Sequence, residues 1–232
     1  MTPRELAAPL EGETRITALV YEASLPRVGA TLILGHGAGA GQRSPFMTDF
    51  AIALAARGLD TATFDFPYTE ARRRLPDRRP VLEASYRAVI ETVPRNILNP
   101  YLFVGGKSMG GRIATHVAAE DSELAIDGIV LLGYPLHPPN RPAERRDAHL
   151  RAVGRPMLFV QGSRDGFGSP FELAPLLASL SAPATLYEIE RGDHSFKVGR
   201  LGAPEQAEIY DDAQREIAEW IQRTIDRLSD AR

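Results

Sequence analysis

The sequence predicts an α/β protein: a mostly parallel, twisted sheet with helices on both faces. Three observations carry this. Apolar strand-like runs alternate with helix-like segments along nearly the whole chain. Two runs, residues 126–132 and 157–160, are almost wholly apolar, with Asp127 the one charge, as in strands covered on both sides. Glycine-rich turns follow several strand-like runs, where the loops of an open α/β sheet carry chemistry.

Residues 14–21 alternate in the manner of a half-buried strand, and residues 30–34 form a short apolar run ending in Gly35-His36-Gly37. A helix is expected over 45–57, stopped by Gly58, then a strand over 59–66, stopped by Pro67. Residues 81–93 have helical spacing and end at Pro94. Strands are expected at 101–104, 126–132, 157–160 and 184–189, with helices at 110–119 and 171–180. The last helix, 204–228, has Ile217, Trp220, Ile221, Ile225 and Leu228 on one face. With no internal repeat, low-complexity tract or linker, the expectation is a single domain over 1–232.

Composition narrows the function classes. Apolar residues are 44% and charged residues 25% of the chain, as expected of a globule with a real core. A net charge of −3 gives no reason to expect a nucleic-acid partner. No apolar run is long enough for a bilayer, and the first fifteen residues carry Arg4, Glu5, Glu11 and Glu13 with no apolar signal core. The absence of cysteine excludes disulfides, thiolate catalysis and cysteine-ligated zinc. A cytoplasmic location is expected.

Gly106-Lys107-Ser108-Met109-Gly110 fits G-x-S-x-G between an expected strand and an expected helix, the context that motif needs. A sharp strand-to-helix turn lifts the serine out of the sheet, and only glycine leaves room for so close an approach. A P-loop reading of Gly106-Lys107-Ser108 fails, because Tyr101 stands where that motif needs glycine. A serine hydroxyl needs a base, and the base an orienting acid. Of five histidines, His116 falls within the helix after the serine and His36 precedes it in another turn, whereas His194 directly follows the last expected strand. Asp165, after the 157–160 strand, is the natural acid and is preferred to Asp193, whose side chain should diverge from its neighbour's. Ser108 as nucleophile, Asp165 and His194 stand in the chain order of this chemistry.

Four segments resemble the α/β-hydrolase family, near its small cap-less members related to dienelactone hydrolases. They are Gly35-His36-Gly37-Ala38-Gly39-Ala40-Gly41, Gly105-Gly106-Lys107-Ser108-Met109-Gly110-Gly111-Arg112, Gln161-Gly162-Ser163-Arg164-Asp165 and Gly192-Asp193-His194-Ser195-Phe196-Lys197. The likeness covers nearly the whole chain and looks closest to a branch that includes a testis-expressed protein and a hydrolase-like subunit of a chromatin-modifying complex. It implies an α/β-hydrolase fold without a large cap domain. It also implies an oxyanion hole made by the backbone N–H groups of Met109 and Ala38. Dienelactone hydrolases carry cysteine at the position of Ser108, so their substrate is not implied. A dinucleotide site at Gly35-His36-Gly37 would explain none of the other three segments.

The expected function is hydrolysis of an ester or thioester of a small soluble substrate through an acyl-enzyme, with no metal or organic cofactor. The alternatives are a peptidase or acyltransferase on the same residues, or a non-catalytic interaction protein that keeps the fold. Arg72, Arg73, Arg74, Arg78 and Arg79, together with Arg141, Arg145 and Arg146, follow strands whose loops should rim the site. The bland reading is a solvated surface; the sharper one is contact with an anionic part of the substrate. Lys107, His36 and Lys197 are further candidates for substrate contact or support. Lys107 and Lys197 are the only lysines; beside chance clustering stand two roles for Lys107, pairing with a carboxylate beneath the turn or keeping the His194 imidazole neutral.

Overall fold

The computed structural model describes residues 1–12, 14–199 and 202–230. The elements run β1 (Arg4–Pro9), β2 (Arg15–Tyr21), β3 (Ala30–Gly35), α1 (Pro45–Ala56), β4 (Asp60–Phe64), α2 (Pro67–Glu70), α3 (Arg79–Asn96) and β5 (Tyr101–Lys107). Then follow α4 (Met109–Glu120), β6 (Gly128–Leu132), a 3-10 turn (Ala148–Ala152), β7 (Met157–Gly162), α5 (Pro170–Leu177), β8 (Ala184–Ile189) and α6 (Ala203–Asp230). The strands form one eight-stranded sheet in the order β1-β2-β4-β3-β5-β6-β7-β8. β2 is antiparallel to both its neighbours, and from β4 to β8 every pairing is parallel.

Strand periodicity of two explains the two cores. Ile129 and Leu131 of β6, and Met157 and Phe159 of β7, face a cluster shared with α3, α4 and α5. Their neighbours Val130, Leu132, Leu158 and Val160 face the opposite cluster, with α1 and α6. That is why these strands read as uninterrupted apolar runs. The chain leaves β3 for β4 on one side and later returns to β5 on the other, so the loops after β3 and β5 diverge at adjacent strand ends. Such a switch point is where an open α/β sheet forms a crevice.

Three elements differ from expectation. β1 is an edge strand with only Ala8 buried, so it has no alternating signature. α3 begins earlier and passes through Pro94 to Asn96. Proline there falls in the last turn, where it removes one hydrogen bond while its fixed φ still suits a helix. The segment after Pro67 forms the short α2. Between β6 and β7 only the 3-10 turn intervenes, so no cap domain covers the strand ends. Among the described residues, no helix is long and apolar enough to cross a membrane.

Candidate active site

Ser108 sits between the last residue of β5 and the first of α4, with φ 50° and ψ −111°. A non-glycine residue in this region stores about 1–3 kcal/mol of strain, which persists only where the surroundings impose it. They do so through glycine. A Cβ on Gly106, whose φ is +149°, or on Gly110 would strike the carbonyl oxygen of Gly35 on the neighbouring strand. The backbone N–H of Ser108 is held by the Leu132 carbonyl at 3.0 Å.

Loops from three strands meet at this turn. His194, after β8, has Nε2 2.9 Å from Ser108 Oγ and Nδ1 2.7 Å from Asp165 Oδ2. Asp165, after β7, is 4% exposed and is held on both oxygens. Gln161 Nε2 donates to Oδ2 at 2.7 Å and the Phe167 N–H donates to Oδ1 at 2.8 Å. Gln161 also accepts the Tyr134 N–H at 2.8 Å and donates to the Gly168 carbonyl at 2.6 Å, so one buried amide ties β6, β7 and the Asp165 loop together. The Phe167 ring stacks on His194 with centroids 4.2 Å apart. Asp193 is turned to other work: its Oδ1 accepts the N–H groups of Ser195 and Lys197 at 2.7 and 2.9 Å.

Ala38 and Met109 border the same cleft as Ser108, a space of about 500 Å³. Among the described residues, neither backbone N–H is taken by an acceptor. His36 lies beneath the Ala38 turn, with no exposed surface and outside the cleft. Its Nε2 accepts the Phe66 N–H at 3.1 Å, which leaves the proton on Nδ1 to donate to the Gly37 carbonyl at 2.8 Å. Burial lowers its pKa, so the ring is a neutral brace. Tyr68 Oη adds a second brace at the Ala38 carbonyl, 2.9 Å away.

Lys107 corrects an expectation. Among the described residues it has no carboxylate within ion-pair distance; its Nζ donates to the His194 carbonyl at 2.6 Å and lies 5.8 and 5.9 Å from the ring centres of Phe46 and Phe196. Burial pulls its pKa down to about 8. Lys197 is exposed, and its side chain borders an adjoining depression that Lys107 also reaches.

Of the arginines expected at the rim, Arg79 and Arg146 line the cleft. Arg73, Arg141 and Arg145 instead pair with Asp77, Glu144 and Asp147. Arg112 also lines the cleft, although sequence reasoning did not single it out. Its signal was spacing: four residues after Ser108 is one helical turn. Gln161 and Phe167 were missed too. The former is a polar residue ending an apolar run; the latter has no distinguishing pattern.

A family model described as an alpha/beta hydrolase domain matches residues 28–222. An α/β serine hydrolase homologue from Coxiella burnetii superposes with a TM-score of 0.70 at 18% identity, covering 96% of this chain and 97% of that one. An α/β serine hydrolase from Xanthomonas campestris, described as lacking a lid, gives 0.71 at 18% identity, covering 98% and 95%. The dienelactone hydrolase of Anabaena variabilis gives 0.68 at 21% identity, covering 96% and 99%. At these identities the likeness is one of fold.

Proposed function

The chain belongs to the alpha/beta hydrolase domain family, and from that premise we propose that it is a serine hydrolase cleaving an ester or thioester of a small substrate through an acyl-enzyme. The observation that carries this reading is the unbroken relay from Ser108 Oγ through His194 to the buried carboxylate of Asp165. Ser108 Oγ attacks the carbonyl carbon as its proton passes to His194 Nε2. Asp165 stays ionised and steadies the imidazolium. The oxyanion accepts hydrogen bonds from the N–H groups of Ala38 and Met109, an arrangement worth several kcal/mol of barrier. Collapse breaks the C–O or C–S bond, and His194 returns the proton to the leaving oxygen or sulfur. Water then attacks the acyl-enzyme as its proton passes to His194; the C–Oγ bond breaks, His194 gives that proton to Ser108 Oγ, and the acid leaves. The short β6–β7 connection leaves the cleft open, which favours small substrates over long acyl chains.

The test is covalent labelling by an uncharged fluorophosphonate, followed by intact mass. Wild-type protein should gain one adduct and Ser108→Ala none. Equal labelling of Ser108→Ala would overturn the reading. A panel of esters and thioesters then separates the two leaving groups.

A further inference from the structure

Three arginines reach the cleft from three separate elements. Arg112 stands one turn into α4, its N–H bonded to the Ser108 carbonyl at 3.1 Å. Arg79 comes from the start of α3 and Arg146 from the β6–β7 connection, and all three line the space into which Ser108 opens. Their charges act on one another: burial, then Arg146 and Arg79, hold Arg112 below the ordinary guanidinium range. Behind them His116 and His149 stack with centroids 3.6 Å apart. Burial, then Arg79 and Arg112, push His116 down to about 4, and burial, then His116, Arg112 and Arg79, push His149 down to about 3, so the pair is neutral near neutral pH.

Negative charge on this wall falls short of positive. Arg79 has Glu83 at 3.3 Å. Asp77 also lines the cleft but is engaged by Arg73 at 2.7 Å. Among the described residues, neither Arg112 nor Arg146 has a carboxylate within ion-pair distance. Arg112 Nε is buried with no hydrogen-bond partner. A buried donor without an acceptor costs about 1–3 kcal/mol, more when charged. Folding tolerates that cost where a ligand supplies the acceptor.

We propose that this wall is an anion subsite in which Arg112 and Arg146, with Arg79 at the edge, receive a carboxylate or phosphate carried by the substrate. Guanidinium groups suit both, since each offers paired N–H donors to paired oxygens. The identification of the ligand as a substrate rests on the serine-hydrolase reading; the binding itself does not.

Two measurements at low salt test the subsite. The first is calorimetric titration of the whole protein with glutarate, with inorganic phosphate and with neutral glutaramide. At least one anion should bind, glutaramide should not, and Arg112→Gln and Arg146→Gln should each weaken the anion tenfold or more. The second compares kcat/KM for the 4-nitrophenyl esters of glutarate, of 4-phosphonobutyrate and of neutral valerate. The preferred anionic ester should exceed valerate by tenfold or more, and that ratio should fall to about one in either variant. The stronger arm identifies the source as carboxylate or phosphate. Should Arg112→Gln not fold, Arg146→Gln carries the test. Hydrolysis of valerate with no anionic preference and no anion binding overturns the subsite and leaves the hydrolase reading intact. Anion binding that the variants abolish, with no ester cleaved, supports the subsite and counts against the hydrolase reading.

Discussion

Asp165 and Lys107 both hold His194, one at its ring and one at its backbone carbonyl, and each makes a separate prediction. Asp165 Oδ2 fixes the imidazole through Nδ1, so Asp165→Asn should lower kcat by roughly 10³–10⁴-fold. His194→Ala should cost a similar factor, and the double variant little more than the worse single one, because the relay acts as a unit. Steady-state kinetics on the responsive ester check this; additive losses would contradict a relay. Lys107 holds the backbone of the histidine, at its carbonyl. A Cβ added at Gly133 would already lie 2.9 Å from Nζ, so a guanidinium has little room. Lys107→Arg should lower kcat roughly 10–100-fold despite keeping the charge, since small misplacement of a reacting group is costly. Its titration gives a second readout. The folded pKa, about 8, lies below the ordinary 10.5, so between those values the unfolded chain binds more protons and stability rises with pH. Below that window the buried ammonium is a net cost, on the order of 3 kcal/mol if the full difference is realised. The stability gap between wild type and Lys107→Met should therefore shift in favour of wild type from pH 7.5 to 9.5, measured by urea unfolding. A gap independent of pH would place the lysine in solvent.

The turn at Ser108 and the capped start of α5 position the side chains of the proposed relay, and they differ in tolerance. Gly106 has no alternative, because both its φ and the nearby Gly35 carbonyl exclude a side chain. Gly106→Ala should destabilise by several kcal/mol or yield no soluble protein. The loop bearing Asp165 leads into α5 through a capping box, in which Ser169 Oγ accepts the Glu172 N–H and Glu172 returns a bond to the Ser169 N–H. Ser169→Ala should cost about 1 kcal/mol, lowering Tm by about 2–4 °C, and leave kcat within about twofold because Asp165 keeps its bonds to Gln161 and Phe167. Calorimetry and kinetics on that one variant check both halves. Elements were legible where one face is buried: α6 places Ile217, Trp220, Ile221 and Ile225 against the sheet, as its spacing implies. β1 was not, because an edge strand holds its register by backbone pairing with β2, which leaves no trace in side-chain type.

At the scale of the whole molecule, the two large apolar clusters share one sheet as their common wall. We therefore expect the chain to unfold as one cooperative unit. Trp220, the single tryptophan, is 3% exposed under α6 and meets the Phe103 ring of β5 at 6.0 Å. Its fluorescence and the far-ultraviolet circular dichroism should lose their native signals at the same urea midpoint. Separate midpoints would mean that α6 detaches first and that the chain is not one cooperative domain.

Residue pattern alone carries the alternation of strand and helix, the sharp turn at Ser108 and the loops that hold the candidate acid and base. Those are local properties: periodicity reflects burial, and glycine reflects a backbone that approaches another closely. Which groups meet depends on the folded arrangement of the strands. Ser108 and His194 are 86 residues apart and Asp165 and His194 29, and their contacts depend on the parallel order of β5, β6, β7 and β8. The same holds for Lys107 finding a carbonyl rather than a carboxylate, and for Arg112 joining Arg79 and Arg146 on one wall. Residue type states what a side chain is able to do; sheet order and helix phase state what it faces, and that information is distributed over the whole chain.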